Sequence, residues 1–142
     1  LTEPGGGMDP GRTHDIMNAE LQFQKGKIFL KKRDYPSARE SFGWAVKLVP
    51  EEGEYLAFLG VALFLAADNK QGGDALTGFR YLKKAAALNP SLEAAQLFLG
   101  TIYKEQKLKD IAALHFRRAL EINPESVEAR RELSVLAMKD SR

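Results

Sequence analysis

The feature that most constrains this chain is a spacing of glycines and prolines. Gly26, Gly60 and Gly100 lie 34 and 40 residues apart, and Pro50, Pro90 and Pro124 lie 40 and 34 apart. The last of these stretches, LGTIYKEQKLKDIAALHFRRALEINP, shows why the spacing matters. Leu99, Ile102 and Tyr103 share one helical face, and Ala112, Phe116, Ala119 and Leu120 share another. Lys107, Lys109 and Asp110 stand between the two patterns and mark a turn. Pro124 closes the second segment, because proline has no N–H to donate and disfavours helix in the residue before it. Two helices approach closely only where side chains are small. Gly100, Ala112 and Ala119 provide such points, and Tyr103 and Phe116 fill the space between them. The stretch therefore predicts a helix hairpin. One hairpin cannot bury its own apolar face, so copies are required.

The copies are present. The first carries Gly26, Phe29, Ala38, Phe42, Ala45 and Pro50, and the second Leu56, Leu59, Gly60, Leu63, Leu82, Ala85 and Pro90. The second copy has Gly78 where the others have Ala38 and Ala112, and six extra residues in the loop Asp68–Asp74. On these residues the chain resembles the tetratricopeptide repeat family over roughly residues 19–139. The resemblance implies an all-α fold, a right-handed superhelix of antiparallel helix hairpins with seven helices. The hairpins are expected at about 18–50, 52–90 and 91–124, followed by a solvating cap helix at about 125–139 whose stripe is Val127, Leu133, Leu136 and Ala137.

Local signals refine this outline. Residues 1–17 contain Gly5-Gly6-Gly7 and two prolines, and are expected to form a flexible linker, with Asn18 or Asp15 capping the first helix. A linker here points to a further domain before it. Lys25 fills the slot that Leu59 and Leu99 fill later, so the array is expected to begin at this hairpin. Pro36 suits the first turn of the second helix, and Asp74 is a candidate cap for the fourth. The stretch EYLAFLGVALFLAAD is apolar on nearly every face. A helix of that kind must be covered all round, and neighbouring hairpins cover two sides, leaving a third for a ligand, another chain or another segment.

In the family, the first helices of the hairpins line a concave groove. Carried over residue by residue, this implies a peptide-binding set of Phe23, Lys27, Ala57, Phe58, Val61, Phe64, Leu97, Phe98 and Thr101. One branch of the family holds C-terminal carboxylates of chaperone tails in a Lys/Asn/Arg clamp. Here the clamp slots hold Phe23, Lys27, Phe58, Ala94 and Phe98, with a single cation, so carboxylate recognition is not expected. A Phe-rich groove suits the apolar face of a helix or an extended hydrophobic segment of a partner protein. Three other outcomes stay open: closure of the groove on a second copy as a homodimer, occupation of it by the chain's own N-terminal segment, and burial of the Phe residues as core between neighbouring first helices. Trp44 matches Lys84 and Arg118 and is expected on the convex surface, where it either packs on a nearby helix end or makes a second contact with another chain.

Composition excludes several alternatives. With 21 Lys and Arg against 19 Asp and Glu, interspersed along the chain, nothing draws it to nucleic acid. The densest basic run, Lys31-Lys32-Arg33, falls at a helix C-terminus, where cations complement the dipole. There is no cysteine, hence no disulfide or thiolate metal site. No run reaches the ~18 apolar residues of a membrane span, so no membrane insertion is expected. The cytoplasm is the expected compartment, with the periplasm left open. Of the two histidines, His14 lies in the expected linker and His115 stands beside Arg117 and Arg118 without a partner at ligand spacing. No nucleophile elbow or phosphate-binding glycine loop is present. Neither catalysis nor a cofactor is expected.

Overall fold

The structure, a computed structural model, describes residues 9–140. Among these it has seven helices and no strand: α1 (Pro10–Lys31), α2 (Tyr35–Leu48), α3 (Gly53–Ala66), α4 (Gly73–Leu88), α5 (Glu93–Glu105), α6 (Lys109–Ile122) and α7 (Val127–Asp140). Sequential helices pack as pairs α1/α2, α3/α4 and α5/α6, and successive pairs stack through α2/α3, α4/α5, α3/α5 and α6/α7. No described helix is long and apolar enough to cross a membrane.

Each pair is drawn together at its glycine. A Cβ on Gly26 would lie 2.5 Å from the Phe42 ring, and one on Gly100 would lie 2.6 Å from the Phe116 ring. The middle pair has Leu82 in the slot of those two rings and closes further. A Cβ on Gly60 would stand 2.6 Å from the Gly78 carbonyl oxygen, and one on Gly78 would collide with the Gly60 carbonyl oxygen. The smaller Leu82 and the glycine at 78 compensate one another, which explains the departure of this copy from its neighbours.

The turns follow two designs. Arg33 and Lys107 adopt left-handed φ values of 62° and 65°. The next residues then bond back across the helix end: Asp34 N–H donates to the Phe29 carbonyl and Leu108 N–H to the Tyr103 carbonyl, both at 2.9 Å. The middle turn carries the six-residue excess and uses a side chain instead. Lys70 Nζ donates to the carbonyls of Leu65 (3.1 Å) and Ala67 (2.6 Å), capping α3.

Three expectations are corrected. The first helix begins at Pro10, eight residues before Asn18. Asp9 is its cap, accepting from the Arg12 N–H, and Pro10 sits in the first turn, where a missing N–H costs nothing. Arg12 also pairs with Glu51 at the α2–α3 junction. Only residues 1–8 of the expected linker remain, and they lie outside the described residues. Second, Gly72 rather than Asp74 occupies the cap position of α4, and Asp74 faces Arg39 of α2 at 3.4 Å. Third, α3 needs little further cover. Tyr55, Leu56, Ala57, Leu59, Val61, Ala62 and Phe64 are all buried among α1, α2, α4 and α5, leaving Phe58, Leu63 and Leu65 half-buried.

The close approach sets a direct test. Gly78→Ala should destabilise the domain by about 1–3 kcal/mol, because the new methyl meets backbone. A Cβ on Gly43, inside α2, would meet nothing within 4 Å, so Gly43→Ala should stabilise by roughly 0.5–1 kcal/mol. Urea unfolding of the two variants should shift midpoints in opposite directions.

Candidate functional site

The first helices of the pairs, α1, α3 and α5, are joined by a chain of aromatic rings. Phe23 of α1 meets Phe58 of α3 edge-on at 5.0 Å, and Phe58 meets Phe98 of α5 edge-on at 4.8 Å. Phe42 and Tyr55 close on its α1 end, at 5.8 and 4.8 Å from Phe23. Edge-to-face pairs of this kind are favoured by the ring quadrupoles and add to what burial contributes. Phe58 and Phe98 of this chain form the floor of a concave groove of about 770 Å³. Its walls are Gln24, Lys27, Ile28, Leu30 and Lys31 of α1, Ala94 and Leu97 of α5, and Glu128 of α7.

The groove set implied by sequence divides in two. Phe23, Ala57, Val61, Phe64 and Leu97 are buried, and the first four lie wholly within the core. Their slots face the groove in repeat register, but the neighbouring first helices cover them. Phe58, Phe98, Lys27 and Thr101 remain half-buried. Thr101 Oγ1 donates to the Leu97 carbonyl at 2.9 Å. Sequence reasoning missed Ile28, Leu30 and Glu128. Glu128 enters from α7, which packs on α6, a placement that no local pattern in the sequence records.

Charge is arranged along the rim. Lys27 Nζ stands 4.7 Å over the Phe23 ring, and Lys31 lies one turn further along. Toward the start of α3, the Tyr55 hydroxyl donates to Glu20 Oε1 at 2.8 Å. Burial, and then that carboxylate, hold the phenol well above its ordinary pKa. Burial raises the Glu54 carboxyl, with Lys27 opposing and Glu52 and Glu20 adding to the rise. On the far side, Lys104 pairs with Glu132 at 2.7 Å and ties α5 to α7.

Trp44 lies on the convex side as expected, half-exposed, with Lys47 Nζ 4.9 Å over its ring. It separates two shallow hollows. One, of about 610 Å³, lies between α2 and α4 over Leu59, Leu63 and Tyr81. The other is bounded by Leu21, Gln22 and Leu48.

This arrangement can be set beside known proteins. Tetratricopeptide repeat family models match residues 23–76 and 94–126, which together exceed half of the chain. The chain belongs to the tetratricopeptide repeat family. Solved structures agree on the fold. The Arabidopsis OM64 TPR domain is 22% identical with a TM-score of 0.70, the match covering 88% of this chain and 98% of that one. The first TPR of Spaghetti (RPAP3), bound to the HSP90 peptide SRMEEVD, is 20% identical with a TM-score of 0.68, covering 89% and 96%. The second TPR domain of human RPAP3, in complex with the HSP70 peptide SGPTIEEVD, is 18% identical with a TM-score of 0.65, covering 89% and 98%. No curated protein matches the chain in sequence.

His115 lies away from the groove and is buried in the α5/α6 pair. Its Nδ1 is 2.8 Å from Gln96 Oε1, and its ring stacks on Tyr103 at 5.3 Å with planes 7° apart. An amide oxygen only accepts, so Nδ1 carries the proton of the neutral ring. Burial, then the Arg118 charge, hold its pKa below the ordinary value of 6.5. The unfolded chain therefore takes up a second ring proton first. The stability gained from a neutral His115 is complete above pH ~6.5 and is lost as pH falls from there through the folded value. The urea midpoint should drop between pH 7.5 and 5.5, and His115→Gln should show a shallower drop over the same window.

Proposed function

We propose that the domain is a protein-interaction module whose concave groove takes an apolar segment of a partner, an amphipathic helix or an extended hydrophobic stretch. The observation that carries this reading is the half-open pair Phe58 and Phe98. Phe23 braces the Phe58 ring edge-on, Phe58 in turn meets Phe98 edge-on, and both half-buried rings line the groove. Preorganised aromatic surface costs little entropy to use, and such surfaces dominate binding energies. Lys27 and Lys31 on one wall and Glu128 on the other favour a segment with an acidic residue near α1 and a basic one near α7. Catalysis forms no part of this reading: the groove's charged groups sit on its rim, and its floor is aromatic. The structural neighbours that hold peptides support the general mode, since they use the same fold.

The ligand class is proposed to differ from theirs. The HSP90 and HSP70 peptides of those complexes end in acidic tails. In this chain the clamp slots hold Phe23, Phe58, Phe98, Ala94 and one cation, Lys27, and Phe23 is buried. A carboxylate placed there would be desolvated without adequate pairing.

Two measurements check this. Peptides ending in EEVD should bind weakly, and amidation of their C-terminus should leave that binding unchanged. Peptides selected from a displayed library of amphipathic helices should bind more tightly. Phe98→Ala should weaken them by about tenfold or more while the circular dichroism spectrum keeps its helical form. Strong binding of the EEVD peptides that is lost on amidation would contradict the reading.

A further inference from the structure

The repeat register exposes a second surface. Leu21, Lys25 and Ile28 of α1 occupy the slots of Tyr55, Leu59 and Ala62 in α3 and of Ala95, Leu99 and Ile102 in α5. All six of the later residues are buried, covered by the pair that precedes them. In α1 the same slots face solvent, and two of the three remain large and apolar: Leu21 is 59% exposed and Ile28 55%. Met17, 66% exposed, continues them one turn toward the N-terminus. Met17, Leu21, Gln24 and Ile28 follow one another at steps of four, three and four, the spacing of a seam between two helices, and a polar residue within such a seam sets its register. The 22-residue helix carries this seam along most of its length.

What covers this seam follows from the chain's own arrangement. A preceding hairpin in repeat register would have to close near residue 16, the counterpart of Pro50. Those residues are already the opening turns of α1, running unbroken from Pro10. A preceding pair in repeat register therefore does not cover this seam, and the charges along α1 point to what does. Residues 9–20 of this segment carry the cap Asp9, Asp15 and Glu20, the last held by the Tyr55 hydroxyl, against Arg12, which is paired with Glu51. Residues 21–33 carry no acid: Lys27 and Lys31 line the groove, and Lys25, Lys32 and Arg33 are exposed outside it. A second α1 laid antiparallel sets each basic half against an acidic half and opposes the two helix dipoles. A parallel arrangement sets like against like.

We propose that α1 is a docking surface for a second copy of this chain, packed antiparallel along Met17, Leu21 and Ile28 about a two-fold axis. This surface is distinct from the groove floor at Phe58 and Phe98, although two of its four seam residues, Gln24 and Ile28, also stand on the groove wall. The contact is isologous, so it closes at two copies and does not propagate.

Sedimentation equilibrium from micromolar to millimolar concentration tests it. A concentration-dependent dimer is expected. Met17→Glu with Leu21→Glu, both at exposed positions, should weaken it at least about tenfold while thermal unfolding stays unchanged at a dilution where both proteins are monomeric. A strictly monomeric chain at millimolar concentration overturns the proposal. So does a dimer that survives this double variant or that is broken by Phe98→Ala instead. The absence of native cysteine allows an orientation test. Under mild oxidation, an equimolar mixture of the single variants Met17→Cys and Ile28→Cys should form the mixed disulfide in preference to either like pair. Preferential Met17→Cys self-pairing overturns the antiparallel arrangement.

Discussion

The structure depends on how closely the two helices of each pair can approach. Gly26 against Phe42, Gly60 against Gly78 and Leu82, and Gly100 against Phe116 are the points at which no further atom fits. These contacts do more than hold the pairs together. They fix the spacing of the first helices of successive pairs, because each first helix must also pack on the second helix before it. A repeat array has no single central core, so its stability is set by such contacts within pairs and between neighbours. A methyl group at one glycine therefore acts on the geometry of the groove as well as on stability.

The aromatic chain from Phe42 through Phe23 and Phe58 to Phe98 joins that scaffold to the groove. One end of it is core and the other is surface. Phe42 and Phe23 are buried, whereas Phe58 and Phe98 are half-buried and line the groove. Binding surface of this kind is rigid because it is the continuation of packed interior. The convex side is built differently. Trp44 there stands half-exposed, with a lysine over its ring and shallow hollows on either side. No continuous aromatic floor supports it.

Much of the fold was legible in the sequence because close packing leaves a strong mark. Glycine and alanine at fixed offsets, with Phe or Leu opposite, record where helices touch. The start of α1 was hidden because Pro10 and the nearby glycines read as breakers. Proline at the first turn of a helix is favourable, and Asp9 supplied the cap. The site was legible only in outline. Register assigns a slot to a face, but it does not say how far the neighbouring helix leans over that slot. Ala57, Val61 and Phe64 sit on the groove side of α3 and are nonetheless covered. Phe23 stands one residue before the slot that Phe58 and Phe98 occupy, and Gln24 fills that slot in α1. That offset was visible in the sequence and marks Phe23 as support for the floor rather than as part of its open surface.

The central claim is that the open faces of Phe58 and Phe98 form the contact surface for a partner's apolar segment. Chemical-shift mapping by heteronuclear NMR tests it most directly, with a labelled domain titrated by a library-selected amphipathic peptide. The account predicts that perturbations cluster at Lys27, Lys31, Phe58, Ala94 and Phe98, with Trp44 and Tyr81 unmoved. Perturbations centred on Trp44, Leu63 and Tyr81 would place the contact in the hollow between α2 and α4 and contradict it.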